Sequence, residues 1–257
     1  MVSAGPQDGP LVVAIHGIGQ SHLAFRPLLD VAEDRGWHVV AIDLRGHGES
    51  DKPHEAYGDS KLWADDVKAV LAEAGANPDH RATVVAWSYG GAVITDYLTQ
   101  YGGDLVKAVV TLGATCKLGA PVGPFVTPEF AAMGKAIMTD DTGEVAQRLL
   151  DMCATKPLDP DFRSGLLDGA LKCPAYVRNG MFRRTLDNDH AVAAYEGVWL
   201  ATHGDKDEMF IPDLSKHLAE TAPNGRFKQY AECGHMPLWD VTDEFLTDLA
   251  KVVDHRA

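Results

Sequence analysis

The stretch Ala82-Thr83-Val84-Val85-Ala86-Trp87-Ser88-Tyr89-Gly90-Gly91 decides the reading of this chain. Its first half is apolar and β-branched, the composition of a strand buried on both faces. Beyond it, Ala92, Val93, Ile94, Tyr97, Leu98 and Tyr101 recur at helical spacing. A strand, a sharp turn carrying a serine, and a helix together make a nucleophile elbow. Ala86 and Gly90 are small where the strand and helix backbones must approach and a larger side chain would collide. Such a turn strains Ser88 and exposes its hydroxyl at the carboxyl end of a sheet. The usual elbow begins with glycine, whereas this one begins with Ala86. So short a string also fits a polar turn with serine as helix cap, and its surroundings must decide.

Three other segments supply that context. Leu11-Val12-Val13-Ala14-Ile15 is a continuous apolar run that ends in His16-Gly17-Ile18-Gly19. It reads as a buried strand entering a glycine-rich loop, whose backbone can turn an N–H toward Ser88. His16 reads as a residue that shapes this loop rather than as a base. Val198-Trp199-Leu200-Ala201-Thr202 leads into His203-Gly204-Asp205-Lys206-Asp207, a turn bearing carboxylates. Phe227 to Ala231 leads into Glu232-Cys233-Gly234-His235. Each candidate acid or base therefore lies just past the carboxyl end of a strand, the edge where open parallel sheets gather their ligands.

The chain order Ser88, Asp207, His235 is that of the α/β-hydrolases, and nearly the whole sequence resembles that superfamily. His16-Gly17 resembles its oxyanion loop, and Asp43 to Ser50 the loop after its next core strand. Ala86 to Gly91 is similar to the elbow, Gly204 to Asp207 to the G-x-x-D acid turn, and Gly234-His235 to the histidine loop. The elbow and the run Cys233-Gly-His-Met-Pro-Leu-Trp239 are most similar to cofactor-free chloroperoxidase-like hydrolases and related esterases. The resemblance implies a serine triad of Ser88, His235 and Asp207. It also implies an oxyanion hole formed by the backbone N–H groups of Ile18 and Tyr89. Asp205 and Glu208 share the acid turn. The G-x-x-D spacing favours Asp207, with Asp205 second. Asp43 and Arg45 read as residues that fix their loop.

Composition excludes several other functions. A net charge of −14 over 257 residues argues against nucleic acid and against anionic membrane surfaces. No apolar run approaches the roughly 20 residues of a membrane helix. The first residues lack a basic-then-apolar signal pattern, so a cytoplasmic protein is expected. Cys116, Cys153, Cys173 and Cys233 lack paired C-x-x-C spacing and read as buried thiols, with Cys233 a structural loop residue. No His, Asp or Glu set has metal-ligand spacing, so neither a metal nor a cofactor is expected.

Strands are expected near 11–16, 38–43, 82–87 and 105–113, with helices near 22–35, 60–75 and 90–101. This alternation predicts an α/β fold with a mainly parallel sheet flanked by helices. Strands near 197–202 and 226–231 and helices near 213–221 and 240–254 extend it. Residues 1–10 read as loop, giving about six strands where many relatives add two edge strands. The alternation fails between 116 and 196, where Pro and Gly at 119–128 precede helical stretches. The core is therefore 1–115 with 197–257, and in such hydrolases an insertion at 116–196 forms a helical cap. Met133, Ile137, Met138, Leu149, Met152, Phe162, Leu166 and Phe182 either line a pocket beneath it or pack it onto the core.

The expected function is a serine hydrolase that cleaves an ester, lactone or thioester of a small apolar molecule through an acyl-serine intermediate. Two alternatives use the same site: perhydrolase or haloperoxidase-like chemistry, and hydrolysis of a carbon–carbon bond. A third is a small-molecule receptor built on a hydrolase scaffold. A carboxylate nucleophile, as in epoxide hydrolases, is disfavoured because the elbow carries Ser88.

Overall fold

A computed structural model describes residues 1–254. Its strands are β1 (Val2–Ala4), β2 (Leu11–Ile15), β3 (His38–Ala41), β4 (Ala82–Trp87), β5 (Val106–Leu112), β6 (Lys117–Leu118), β7 (Leu186–Asp187), β8 (Val198–Gly204) and β9 (Gly225–Tyr230). Seven of them form one sheet in the order β1-β3-β2-β4-β5-β8-β9, while β6 and β7 pair separately. All neighbours in the large sheet are parallel except β1, which pairs antiparallel with β3. The sheet thus exceeds the expected six strands by β1. Three residues, two of them exposed, give no alternating pattern, so the sequence hid this edge strand.

Register brings the carboxyl ends of the central strands together. Ile15 lies opposite Ala86, Trp87 opposite Leu112, Leu112 opposite Thr202, and Gly204 opposite Tyr230. The loops that follow β2, β4, β5, β8 and β9 therefore leave one edge side by side.

Both faces of this sheet are buried, and the two-residue period of a strand divides the core. Val12, Ala14, Val85, Trp87 and Val110 pack on one face with Phe245 and Leu249. Val13, Ile15, Val84, Ala86 and Val109 pack on the other with Val67 and Val93. The first layer includes α1 (Arg26–Asp30) and α2 (Ala32–Arg35), preceded by a 3₁₀ turn over His22–Phe25. One helix was expected over 22–35. Pro27 has no N–H to continue the turn, and the segment instead forms three short pieces. On the second face α3 (Ser60–Glu73), capped by the Asp59 carboxylate, packs against α4 (Gly90–Tyr101).

Between β5 and β8 the chain forms α5 (Pro128–Thr139), α6 (Glu144–Asp151), α7 (Pro160–Leu171), α8 (Ala175–Phe182) and α9 (Asp189–Ala194). The Thr127 hydroxyl caps α5 and the Asp159 carboxylate caps α7. The chain closes with α10 (Asp213–Thr221), α11 (Pro237–Asp240) and α12 (Thr242–Val253). Among the described residues no helix is long and apolar enough to cross a membrane.

Two buried polar clusters fix the loops at the working edge. His16 Nε2 accepts from the Leu44 N–H at 3.0 Å and its Nδ1 donates to the Gly17 carbonyl at 2.7 Å. His47 Nε2 accepts from the Gly19 N–H at 3.1 Å and its Nδ1 donates to the Arg45 carbonyl at 3.0 Å. Both rings are neutral in these roles, and burial lowers their pKa values to about 4 for His16 and about 3 for His47. The second cluster centres on Arg184, which pairs with Asp96 of α4 at 2.5 Å while both side chains are almost fully buried. Arg184 also donates to the Tyr89 and Ser60 hydroxyls, each at 2.8 Å. This ties the chain after α8 to the residue next to Ser88.

Two stability predictions follow from these clusters. As pH falls through 6.5 the unfolded chain protonates His16 and His47 while the folded chain does not, so stability is lost toward pH 4. Each ring contributes a slope of up to about 1.4 kcal/mol per pH unit. Urea titrations at pH 7.5, 6 and 5 should show the midpoint falling, and a flat midpoint would refute neutral buried rings. Arg184→Met strands the Asp96 carboxylate and should cost about 3–5 kcal/mol, much of it recovered in Arg184→Met/Asp96→Leu. Equal loss in the single and double variants would show that the ion pair is not the source.

Candidate active site

Ser88 sits between β4 and α4 with φ +53°, the left-handed region that a side chain rarely adopts. Such a residue typically costs about 1–3 kcal/mol and persists only where its surroundings impose it. They do so here: the Ser88 N–H donates to the Leu112 carbonyl at 3.0 Å, and its carbonyl accepts from Gly91 at 3.1 Å and Thr115 at 3.3 Å. The elbow also needs close backbones. A Cβ built on Gly90 would lie 2.5 Å from the Ile15 carbonyl oxygen, and one on Gly17 would lie 2.9 Å from Ser88 Cβ.

His235 follows β9, and its Nδ1 lies 2.7 Å from Asp207 Oδ2. An ionised carboxylate only accepts, so Nδ1 carries the proton and Nε2 keeps its lone pair. Nε2 is buried and has no hydrogen-bond partner among the described residues. Burial pushes the Asp207 carboxyl up, but the imidazole of His235 beside it, the nearby His203 ring and the Met209 N–H outweigh that. The net shift is down, and Asp207 stays ionised. Met209 and Phe210 donate to its Oδ1 at 2.7 and 3.1 Å. Asp205 points elsewhere, accepting from the Cys233 N–H at 3.2 Å, so of the two aspartates on this turn it is Asp207 that meets His235.

Ile18 and Tyr89 lie on the two loops that flank Ser88. Among the described residues neither backbone N–H has an acceptor, whereas the neighbouring Gly19 N–H is held by His47. The amino end of α4 also points at this place, adding the positive end of a helix dipole. Asp43 accepts from the backbone N–H groups of His22 and Glu49, and Arg45 forks onto Asp66 at 2.6 and 2.8 Å, so both fix their loop.

Four further residues shape the site without having been singled out in the sequence. Gly113 ends β5 with φ +48°, and a Cβ there would lie 2.8 Å from His235 Nδ1 and 3.1 Å from Asp207 Oδ2. Its signal was a glycine closing a β-branched strand beside the elbow strand. Trp87 donates its indole N–H to the His235 carbonyl at 3.1 Å. Asp240 accepts from the Gly234 N–H at 2.7 Å and from Thr155 at 3.0 Å, joining the histidine loop to the chain after α6. His203 lies with its Nε2 3.3 Å from Asp207 Oδ2 and 2.9 Å from the Phe210 carbonyl.

A cavity of about 180 Å³ opens beside Ser88. Ile18, Tyr89 and Phe210 line it from the core, and Phe130, Met181 and Phe182 from the inserted helices. Of the eight apolar residues weighed for such a pocket, Phe182 alone lines it. Ile137, Leu149, Met152, Phe162 and Leu166 are buried in the packing core, and Met138 borders a separate surface groove. Helical periodicity gives the apolar face but not which end of it meets the cavity.

The sequence pattern of the alpha/beta hydrolase family matches residues 12–248. The non-heme chloroperoxidase CPO-A1 of Kitasatospora aureofaciens is 25% identical over 245 residues, covering 89% of this chain and 86% of its own. The AB hydrolase superfamily protein YisY of Bacillus subtilis is 25% identical over 252 residues, covering 95% and 91%. Among solved structures, the esterase RhEst1 from Rhodococcus sp. ECU1013 superposes with a TM-score of 0.89 at 29% identity, covering 99% of this chain and 94% of its own. With the elbow, the parallel sheet and the order of the site residues, these similarities lead to one conclusion: the chain belongs to the alpha/beta hydrolase family.

Proposed function

We propose that this hydrolase cleaves an ester-type bond (ester, lactone or thioester) of a small apolar molecule through an acyl-serine intermediate. The observation that supports this most is the buried Asp207–His235 pair at 2.7 Å, which leaves Nε2 free to accept a proton. Residues 116–196 act as a cap that supplies the apolar side of the cavity. A cytoplasmic location fits its four buried, unbridged thiols.

A serine hydroxyl is a weak nucleophile at neutral pH and needs a base. Ser88 Oγ attacks the carbonyl carbon while its proton passes to His235 Nε2. The carbonyl oxygen becomes an oxyanion that accepts from the Ile18 and Tyr89 N–H groups, where each donor contributes roughly 2.7–4 kcal/mol to the transition state. The carbon–oxygen or carbon–sulfur bond then breaks, and the leaving alcohol or thiol takes the proton from Nε2. Water attacks the acyl-serine with the same base, releasing the acid and restoring Ser88 Oγ–H. Asp207 holds the imidazole in the tautomer these steps require. Similarity to a chloroperoxidase favours a second outcome, in which hydrogen peroxide replaces water and the acyl-serine yields a peracid.

The reading is tested with p-nitrophenyl acetate and a fluorophosphonate probe. A burst of one p-nitrophenol per chain, repeated turnover and a mass increase on the Ser88 peptide are expected. Ser88→Ala should lower kcat on the order of a millionfold. Asp207→Asn should lower it by about 10⁴, while Asp205→Asn stays near the parent. Lack of labelling would reject the serine mechanism, and a normal Asp207→Asn would reject the assignment of the acid. Stopped-flow kinetics provide a separate check at the strand end. Gly113→Ala should displace the imidazole and cost roughly 10²-fold in kcat with little change in KM. An unchanged kcat would show that the close approach of Gly113 is not needed.

A further inference from the structure

Gly134 occupies the middle of α5, where glycine is less favourable than alanine by about 1 kcal/mol. Nothing in the packing or the backbone calls for it. Its φ is helical, and a Cβ built there would meet no atom within 4 Å. The residue nevertheless borders the cavity beside Ser88, one helical turn from Phe130 and Ala131. What the missing side chain preserves is open volume.

That volume has a definite chemistry. Among the described residues no Asp, Glu, Lys, Arg or His side chain lines the cavity, although the chain carries a net charge of −14. Its polar groups are few. The Ser88 hydroxyl is the proposed nucleophile, the Tyr89 hydroxyl accepts from Arg184, and the Thr115 hydroxyl donates to the Lys117 carbonyl. A charged group entering here would lose water and find no counter-ion. A water-sized group needs about 10–15 Å³ of such space, so 180 Å³ admits a chain of several non-hydrogen atoms rather than a single small group.

We infer that the substrate presents an uncharged apolar chain of a few non-hydrogen atoms to this cavity, and that Gly134 sets the permitted length. The inference rests on the serine-hydrolase reading above and adds to it the class of chain and the residue that measures it. A side chain at position 134 occupies the place of the chain's last atoms. One methylene in an apolar pocket discriminates by about 10- to 200-fold, which sets the scale of the effect.

The experiment compares the parent with Gly134→Ala and Gly134→Leu on p-nitrophenyl acetate, butyrate, hexanoate and hemisuccinate. It is repeated on ethyl, butyl and hexyl acetate, because the chain can lie on the acyl or the alkoxy side. In the parent, kcat/KM should rise with length in one series, and the hemisuccinate should fall at least about tenfold below the butyrate. Gly134→Leu should lose at least about tenfold on the longest ester of that series and stay within about threefold on acetate. Thermal melting should show both variants as stable as the parent or more so, which separates pocket filling from misfolding. Equal losses on all esters, an unchanged length profile in both series, or a hemisuccinate as good as the butyrate would overturn the inference. Fluorophosphonate labelling of Ser88 separates the two failures. A parent that labels but shows an unaltered profile in Gly134→Leu rejects the length assignment alone. A parent that does not label rejects the serine-hydrolase reading and the assignment with it.

Discussion

The Asp207 carboxylate is a fully buried negative charge, and much of the site's arrangement serves to keep it one. An isolated ion so far from water would take up a proton. Here two backbone N–H groups and two imidazoles surround it, which holds the acid ionised. The same bonds orient His235, because an ionised acceptor forces the proton onto Nδ1. They also explain the glycine at 113, where any side chain would crowd His235 and Asp207.

The sheet brings these groups together. The loop of Ser88, more than a hundred residues before those of Asp207 and His235, leaves the same edge because parallel strands in register end there. Their sequence separation makes the meeting expensive in chain entropy, and burial of apolar strands on both faces offsets it. Trp87 shows how closely core and site are joined. Its ring packs against Trp239 while its indole N–H holds the backbone of His235. Arg184 does the same from the inserted segment, reaching Tyr89 and Asp96 through buried hydrogen bonds.

Much of this was legible in the chain itself. The β2 run is wholly apolar and the β4 and β8 runs largely so, and the motifs fall at their ends, so strand positions and candidate site residues emerged together. The short edge strand β1 was not legible, since an antiparallel partner was its only support. Nor were the supporting contacts of Asp240, His203 and Arg184, which join residues 85 or 88 positions apart or depend on the geometry of a single turn. Periodicity identified the apolar faces of α5 to α8 but could not say which residues meet the cavity. That depends on how helices cross, a property of tertiary packing.

The proposed mechanism requires the hydroxyl of residue 88, the imidazole of residue 235 and the carboxylate of residue 207 to act as one unit. A crystal structure of the enzyme inhibited by a fluorophosphonate tests it most directly. Phosphorus should be bonded to Ser88 Oγ, with a phosphoryl oxygen accepting from the Ile18 and Tyr89 N–H groups. His235 Nε2 should lie within hydrogen-bonding distance of Oγ or the leaving position, with Asp207 still on Nδ1. Phosphorus on another residue, or an imidazole turned away from the adduct, would contradict it.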